Sequence, residues 1–144
     1  MRTRVANRPV EHPNGRSERR GAAVAPRPRV LGHHLIADMW ECRPESLTSV
    51  RQVERVLRES VDACHAHLID LRVHSFTPTG GVTGIAVILE SHISVHTWPE
   101  LGYAAVDVFT CGETDAPAAV KVFEAYFHPR RTDLMEFKRG VLRS

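Results

Sequence analysis

The sequence predicts an α+β fold, a two-layer sandwich in which a mostly antiparallel sheet carries two helices on one face. Three observations carry this. The chain alternates period-two and period-3.6 stretches in the order β-α-β-β-β-β-α-β. The consecutive central strands are joined by turns too short for a crossover, so they pair antiparallel. Two amphipathic helices cannot cover both faces of a six-strand sheet, so they share one face. The other face is left bare, and a bare apolar face needs a partner.

The elements follow in order. Val30 to Cys42 opens the domain as a strand, with Leu35, Ala37 and Met39 alternating against Ile36, Asp38 and Trp40. Arg43-Pro44-Glu45-Ser46 is a helix start. Leu47, Val50, Val53, Leu57, Val61 and Cys64 then recur at helical spacing, opposite Arg51, Glu54, Arg55, Arg58, Glu59 and Asp62. His67 to Thr77 alternates again. Pro78-Thr79-Gly80-Gly81 is a turn. Val82 to Leu89 is apolar and β-branched, a central strand. Ile93 to Trp98 and Tyr103 to Thr110 are the next two, separated by Pro99-Glu100-Leu101-Gly102. Asp115 caps a second helix with Pro117 in its first turn, Val120, Phe123 and Phe127 line its inner side, and Pro129 stops it. Leu134 to Lys138 is a short last strand.

The chain has 144 residues, enough for one domain with one core. Its apolar runs fall short of the ~20 residues of a membrane helix, and its start lacks the apolar centre of a secretory signal. Cys42, Cys64 and Cys111 form no C-x-x-C pair, which argues against a zinc knuckle or a disulfide framework and suits a reducing cytoplasm. The net charge of +2 divides unevenly: residues 1–29 hold eight arginines and two glutamates, about +6, leaving about −4 on residues 30–144. Residues 1–29 read as a disordered basic tail and 30–144 as the domain. No aromatic side chain interleaves those arginines, so the tail offers no base-stacking platform and no nucleic-acid partner is expected.

Chemistry concentrates in Leu89-Glu90-Ser91-His92-Ile93-Ser94-Val95-His96-Thr97-Trp98-Pro99-Glu100. The alternation there is that of a strand, which sets His92 and His96 about 13 Å apart, too far to share a metal ion. Ser91 lacks the G-x-S-x-G elbow of a serine hydrolase. If Leu89-Glu90 is a two-residue turn, Thr83 falls opposite His96 at a Cβ separation of ~5 Å, a hydroxyl beside an imidazole. Ser91 then sits at the hairpin tip, about 16 Å along the strand from His96. A site using both must draw them from two subunits of a symmetric dimer.

The run Glu90 to Glu100, continued by Gly102-Tyr103-Ala104-Ala105-Val106-Asp107-Val108-Phe109-Thr110-Cys111-Gly112, closely resembles the small prokaryotic S-adenosylmethionine decarboxylase proenzymes. The resemblance runs from about Leu31 to Gly140 and includes Gly32-x-His34-Leu35 and Glu41-Cys42. It implies that the chain cuts itself between Glu90 and Ser91 into a β chain, 1–90, and an α chain, 91–144, and that Ser91 becomes a pyruvoyl group. That group forms a Schiff base with the amine of S-adenosylmethionine and acts as the electron sink for loss of its carboxylate. The product is the aminopropyl donor for spermidine synthesis. The resemblance further implies a homodimer of processed αβ units, each chain held to its own cleaved fragment, and no metal.

By position, His96 matches the family histidine of self-processing, and Cys111 the cysteine that protonates the product carbon. Thr83 stands where relatives often carry a serine that assists processing. Glu100 matches an acid that binds the ribose hydroxyls, and Phe76 the aromatic that stacks on adenine. Each has a plainer reading when taken alone: Thr83 as a β-former, His96 as a sheet histidine, Cys111 as a small residue at a strand end, Phe76 as core, Glu100 as a turn residue. Two departures stand out: the extra methyl of Thr83, and a loop Phe76-Thr77-Pro78-Thr79-Gly80-Gly81 one residue longer than usual. They keep one alternative open, a pyruvoyl-dependent ornithine or arginine decarboxylase; a further reading, of another class, is an unprocessed, non-catalytic binding domain.

Overall fold

The computed structural model describes residues 29–143. The expected basic tail lies outside the described residues except for Arg29, which begins the first strand. The elements are β1 (Arg29–Trp40), a 3-10 turn (Pro44–Leu47), α1 (Val50–Ala63), β2 (Leu68–Ser75), β3 (Val82–Ile88), β4 (Ser91–Trp98), a second 3-10 turn (Pro99–Leu101), β5 (Tyr103–Cys111), α2 (Ala116–Phe127) and β6 (Arg131–Leu142). The strands form one six-stranded sheet in the order β2-β3-β4-β5-β1-β6, with every neighbouring pair antiparallel. The α+β sandwich expected from the sequence is therefore the fold observed.

Both helices lie on one face, α1 over β2, β3 and β4 and α2 over β1 and β5. The strand period decides which side chains they cover. Leu35, Ala37, Met39, Val82, Ala86, Ile93, Val95, Ala104, Val106 and Val108 point into the core and are closed off by Val53, Leu57 and Val61 of α1 and Phe123 and Phe127 of α2. Thr97 and Thr110 are polar members of this layer. The buried Thr97 hydroxyl donates to the Leu47 carbonyl at 2.7 Å and accepts from the Val82 amide at 2.8 Å, tying the first 3-10 turn to the β3–β4 hairpin.

Among the described residues, the opposite face carries no helix. Ile85, Val87, Trp98, Met135 and Phe137 stand on it and remain exposed. Between them lies a polar and aromatic layer: Trp40 stacks on Tyr103 at 4.4 Å, and the Tyr103 hydroxyl donates to Asp38 at 2.7 Å. Burial, then the bond to Asp38 and the nearby carboxylates, push the Tyr103 phenol up to about 12.

The ends of β1 to β5 shift by one or two residues from the sequence reading, and two boundaries differ more. The segment from Pro44 is a 3-10 turn, and α1 starts only at Val50, because Ser49 is the residue whose hydroxyl accepts from the Gln52 amide and caps it. β6 spans Arg131–Leu142 rather than 134–138. It is an edge strand held along its length by backbone pairing to β1, so it buries little and shows almost no apolar period. α2 behaves as read: the Asp115 side chain accepts from the Ala118 amide, and His128 ends the helix in a left-handed conformation just before Pro129.

Candidate active site

β3 and β4 form the hairpin on which the candidate site rests. The register pairs Ile88 with Ser91 and Thr83 with His96, so Leu89-Glu90 is the two-residue turn. A tight hairpin ordinarily takes positive φ in its turn, a role for glycine or asparagine. Leu89 and Glu90 do not supply it. The unusual dihedral falls instead on Ser91, at φ 148°. A non-glycine residue held in such a region stores strain of about 1–3 kcal/mol, and here it adjoins the Glu90–Ser91 peptide bond.

The carbonyl of that bond is held from β5, where the Cys111 amide donates to the Glu90 oxygen at 3.0 Å. The Glu90 side chain is held from the other side, accepting from the His67 amide at 3.0 Å and lying 2.6 Å from the His67 ring Nδ1. Partial burial works against ionisation of Glu90. The bonds from His67 outweigh it and hold the carboxyl below the usual carboxylate range. The Ser91 hydroxyl lies 3.4 Å from His92 Nδ1, a long contact, and the His92 ring packs edge-on to Phe109. Ser91, Glu90 and Cys111 therefore form one cluster at one end of the sheet. The Cys111 thiol is exposed, whereas Cys42 and Cys64 are buried. Burial pushes the Cys42 thiol up to about 11.

A second cluster occupies the far end of the same hairpin. Thr83 Oγ1 and His96 Nδ1 lie 3.0 Å apart on the helix-free face, the juxtaposition the register requires. Phe76 stands exposed beside it, its ring edge-on to His74 at 5.1 Å and its amide donating to the Gly81 carbonyl at 2.7 Å. Gly81 is confined there: an added Cβ would lie 2.7 Å from the Thr97 carbonyl oxygen. Glu100 is exposed in the 3-10 turn that follows Trp98. Thr83, His96, Phe76 and Glu100 thus share one end, while Ser91 and Cys111 share the other. Five residues of strand, about 16 Å, separate Ser91 from His96.

A family model described as S-adenosylmethionine decarboxylase matches residues 33–140. This chain belongs to the S-adenosylmethionine decarboxylase family. The match covers both clusters. An S-adenosylmethionine decarboxylase proenzyme of Thermomicrobium roseum is 49% identical over 113 residues, which is 78% of this chain and 96% of that relative. One from Methanococcus maripaludis strain C7 is 48% identical over the same length, 78% of this chain and 92% of the relative. Among solved structures, the adenosylmethionine decarboxylase of Aquifex aeolicus superposes with a TM-score of 0.74 at 33% identity, over 80% of this chain and 95% of that one.

Sequence reasoning passed over two features of this family member. The Cys111 contribution is a backbone amide, which residue type does not reveal. In the sequence, His67 reads only as the first residue of the alternating stretch His67 to Thr77. Its signal lay in the pairing of β2 with β3, which sets Leu68 beside Ile88 and so brings His67 to the hairpin tip. Among the described residues, no group of three or more histidine, cysteine, aspartate or glutamate side chains is placed to hold a metal ion. No helix among them is long and apolar enough to cross a membrane.

Proposed function

We propose that this chain is a self-processing, pyruvoyl-dependent decarboxylase of S-adenosylmethionine whose cleavage site is the Glu90–Ser91 bond. The observation that carries the reading is the strained Ser91 at φ 148°, joined to a Glu90 carbonyl already engaged by the Cys111 amide at 3.0 Å. A carbonyl oxygen bonded by a fixed amide is polarised for attack, and the same donor stabilises the oxyanion that follows. Relief of the Ser91 dihedral favours loss of the peptide bond.

The balance of the cleavage is as follows. The Ser91 hydroxyl gives up its proton and Oγ bonds to the Glu90 carbonyl carbon. The Ser91 nitrogen leaves that carbon with a proton, and the peptide becomes an ester. Loss of the Ser91 Cα proton expels the Glu90 carboxylate as the new end of residues 1–90. The remaining enamine takes up a proton at carbon and then water, and releases ammonia. The chain 91–144 is left with a ketone at its first residue. That pyruvoyl group supplies an electrophilic carbonyl that binds the substrate amine and accepts the electron pair left by carbon dioxide.

Proton handling in this account falls to His96, held by Thr83 through the 3.0 Å contact. Since His96 is far from Ser91 in its own chain, it acts on the Ser91 of a second subunit. The exposed apolar residues Ile85, Val87, Met135 and Phe137 on the helix-free face give two copies a surface through which to meet. Cys111 has two separate parts in the account: its amide serves cleavage, and its exposed thiol protonates the product carbon. Phe76 and Glu100, beside His96, meet the adenine ring and the ribose hydroxyls. The product serves as an aminopropyl donor for spermidine synthesis.

Carbon dioxide release tests the substrate. The purified, processed protein is expected to decarboxylate S-adenosylmethionine and to leave ornithine and arginine untouched. Turnover of either amino acid, with none of S-adenosylmethionine, would overturn the assignment.

A further inference from the structure

We infer that His67 is a positioning residue for self-cleavage: with Glu90 it forms a clamp that orients the scissile carbonyl. The inference rests on the reading that the chain cuts before Ser91.

The clamp begins at the end of α1. The Ala66 amide donates to the Val61 carbonyl and the His65 amide to the Asp62 carbonyl, each at 3.1 Å, with His65 left-handed at φ 60°. This is the paired-bond helix stop known as a Schellman motif, and it fixes the chain direction immediately before His67. The Cys64 carbonyl accepts from the Asp115 amide at 3.0 Å, which ties the same corner to the start of α2. His67 is thus delivered to the hairpin tip by a rigid corner.

There it makes three contacts with the two turn residues. Its carbonyl accepts from the Leu89 amide at 2.9 Å, its amide donates to Glu90 Oε2 at 3.0 Å, and its ring Nδ1 lies 2.6 Å from Glu90 Oε1. The carboxylate is fully engaged. Its side chain is 14% exposed although the His67 ring that holds it is 75% exposed. Glu90 is therefore gripped twice, by its side chain from the β2 side and by its carbonyl from the β5 side through the Cys111 amide. Two grips on one residue restrict the rotation of the carbonyl that the Ser91 hydroxyl must attack, and a fixed orientation is worth large factors in rate.

Cell-free synthesis with pulse labelling of the full chain reads the rate at which the uncut species becomes two fragments. His67→Ala is expected to slow it about tenfold, as the loss of one hydrogen bond to a charged group. His67→Asn, whose amide can reach the same oxygen, should restore most of the rate. Glu90→Ala removes both side-chain bonds and should slow cleavage further. The double variant His67→Ala/Glu90→Ala should be no slower than Glu90→Ala alone, because both changes break one device. Cleavage of His67→Ala at the unmodified rate overturns the clamp, and so does a double variant slowed by the product of the single effects. If His67→Ala fails to fold by circular dichroism, His67→Asn and Glu90→Gln carry the test: slowing by Glu90→Gln that does not depend on residue 67 overturns it equally. Ser91→Ala separates this from the underlying reading, since cutting in that variant means the cleavage assignment has failed whatever His67 does.

Discussion

Two inactive variants should rescue one another. In Ser91→Ala the nucleophile is missing, and in His96→Ala the proton-handling group is missing, so neither is expected to cut when made alone. Thr83 opposite His96 and Ile88 opposite Ser91 fix the two residues at opposite ends of one hairpin, about 16 Å apart at the rise of an antiparallel strand. A hydrogen-bonding group acts at about 3 Å, so His96 cannot serve its own Ser91 without breaking β4. In the proposed two-fold dimer each site would take Ser91 from one subunit and His96 from the other. Co-expressed in equal amounts with random pairing, half of the chains enter mixed dimers. Each mixed dimer contains one site with both residues intact and one with neither. Half of the His96→Ala chains should therefore be cut, about a quarter of all chains. The assay is the ratio of cut to uncut chains by denaturing mass analysis after co-expression, with dimer formation followed by sedimentation. An absence of cutting in mixtures that do form dimers would refute the shared site. Full cutting by His96→Ala alone would remove His96 from the mechanism.

Further outcomes follow from single contacts. Thr83→Val removes the hydroxyl partner of His96 while keeping the side-chain shape, and should slow self-cleavage about 5- to 30-fold, the cost of about 1–2 kcal/mol for one lost bond at a half-buried imidazole. Thr83→Ser should cut at least as fast as the unmodified chain, and pulse-labelled cleavage rates distinguish the two. Cys111→Ala keeps the amide that holds the Glu90 carbonyl and loses the thiol, so it should cut normally yet release carbon dioxide slowly; normal turnover would show that the thiol is not the proton donor. The Tyr103 phenol is raised from 10.0 to about 12, so its contribution to stability is complete below pH 10 and is lost as the pH climbs toward 12. Denaturant melts across that window should show this loss, and Tyr103→Phe should flatten it.

The architecture was readable because burial follows the strand period so closely. Leu35, Ala37 and Met39 are buried while Ile36, Asp38 and Trp40 are half-covered, and a two-residue turn then set the Thr83–His96 register by arithmetic. β6 was less legible, because an edge strand held by backbone bonds needs no apolar alternation. The site divides in the same way. Side-chain identities at 83, 91, 96 and 111 could be placed from the sequence. The Ser91 dihedral, the Cys111 amide and the His67 clamp could not, since they depend on backbone geometry and on contacts between distant segments. The long loop from Phe76 to Gly81 also keeps its own logic: the Phe76 amide and carbonyl bond to the Gly81 carbonyl and the Gly80 amide, so the extra residue is absorbed in a closed turn.

The most direct test of the account is the mass of the purified full chain under denaturing conditions. The account predicts two species split before Ser91, the second 17 Da lighter than residues 91–144 would weigh with an unmodified serine and free amine, the loss of one ammonia that identifies the ketone. A single uncut species of 16.1 kDa would contradict it.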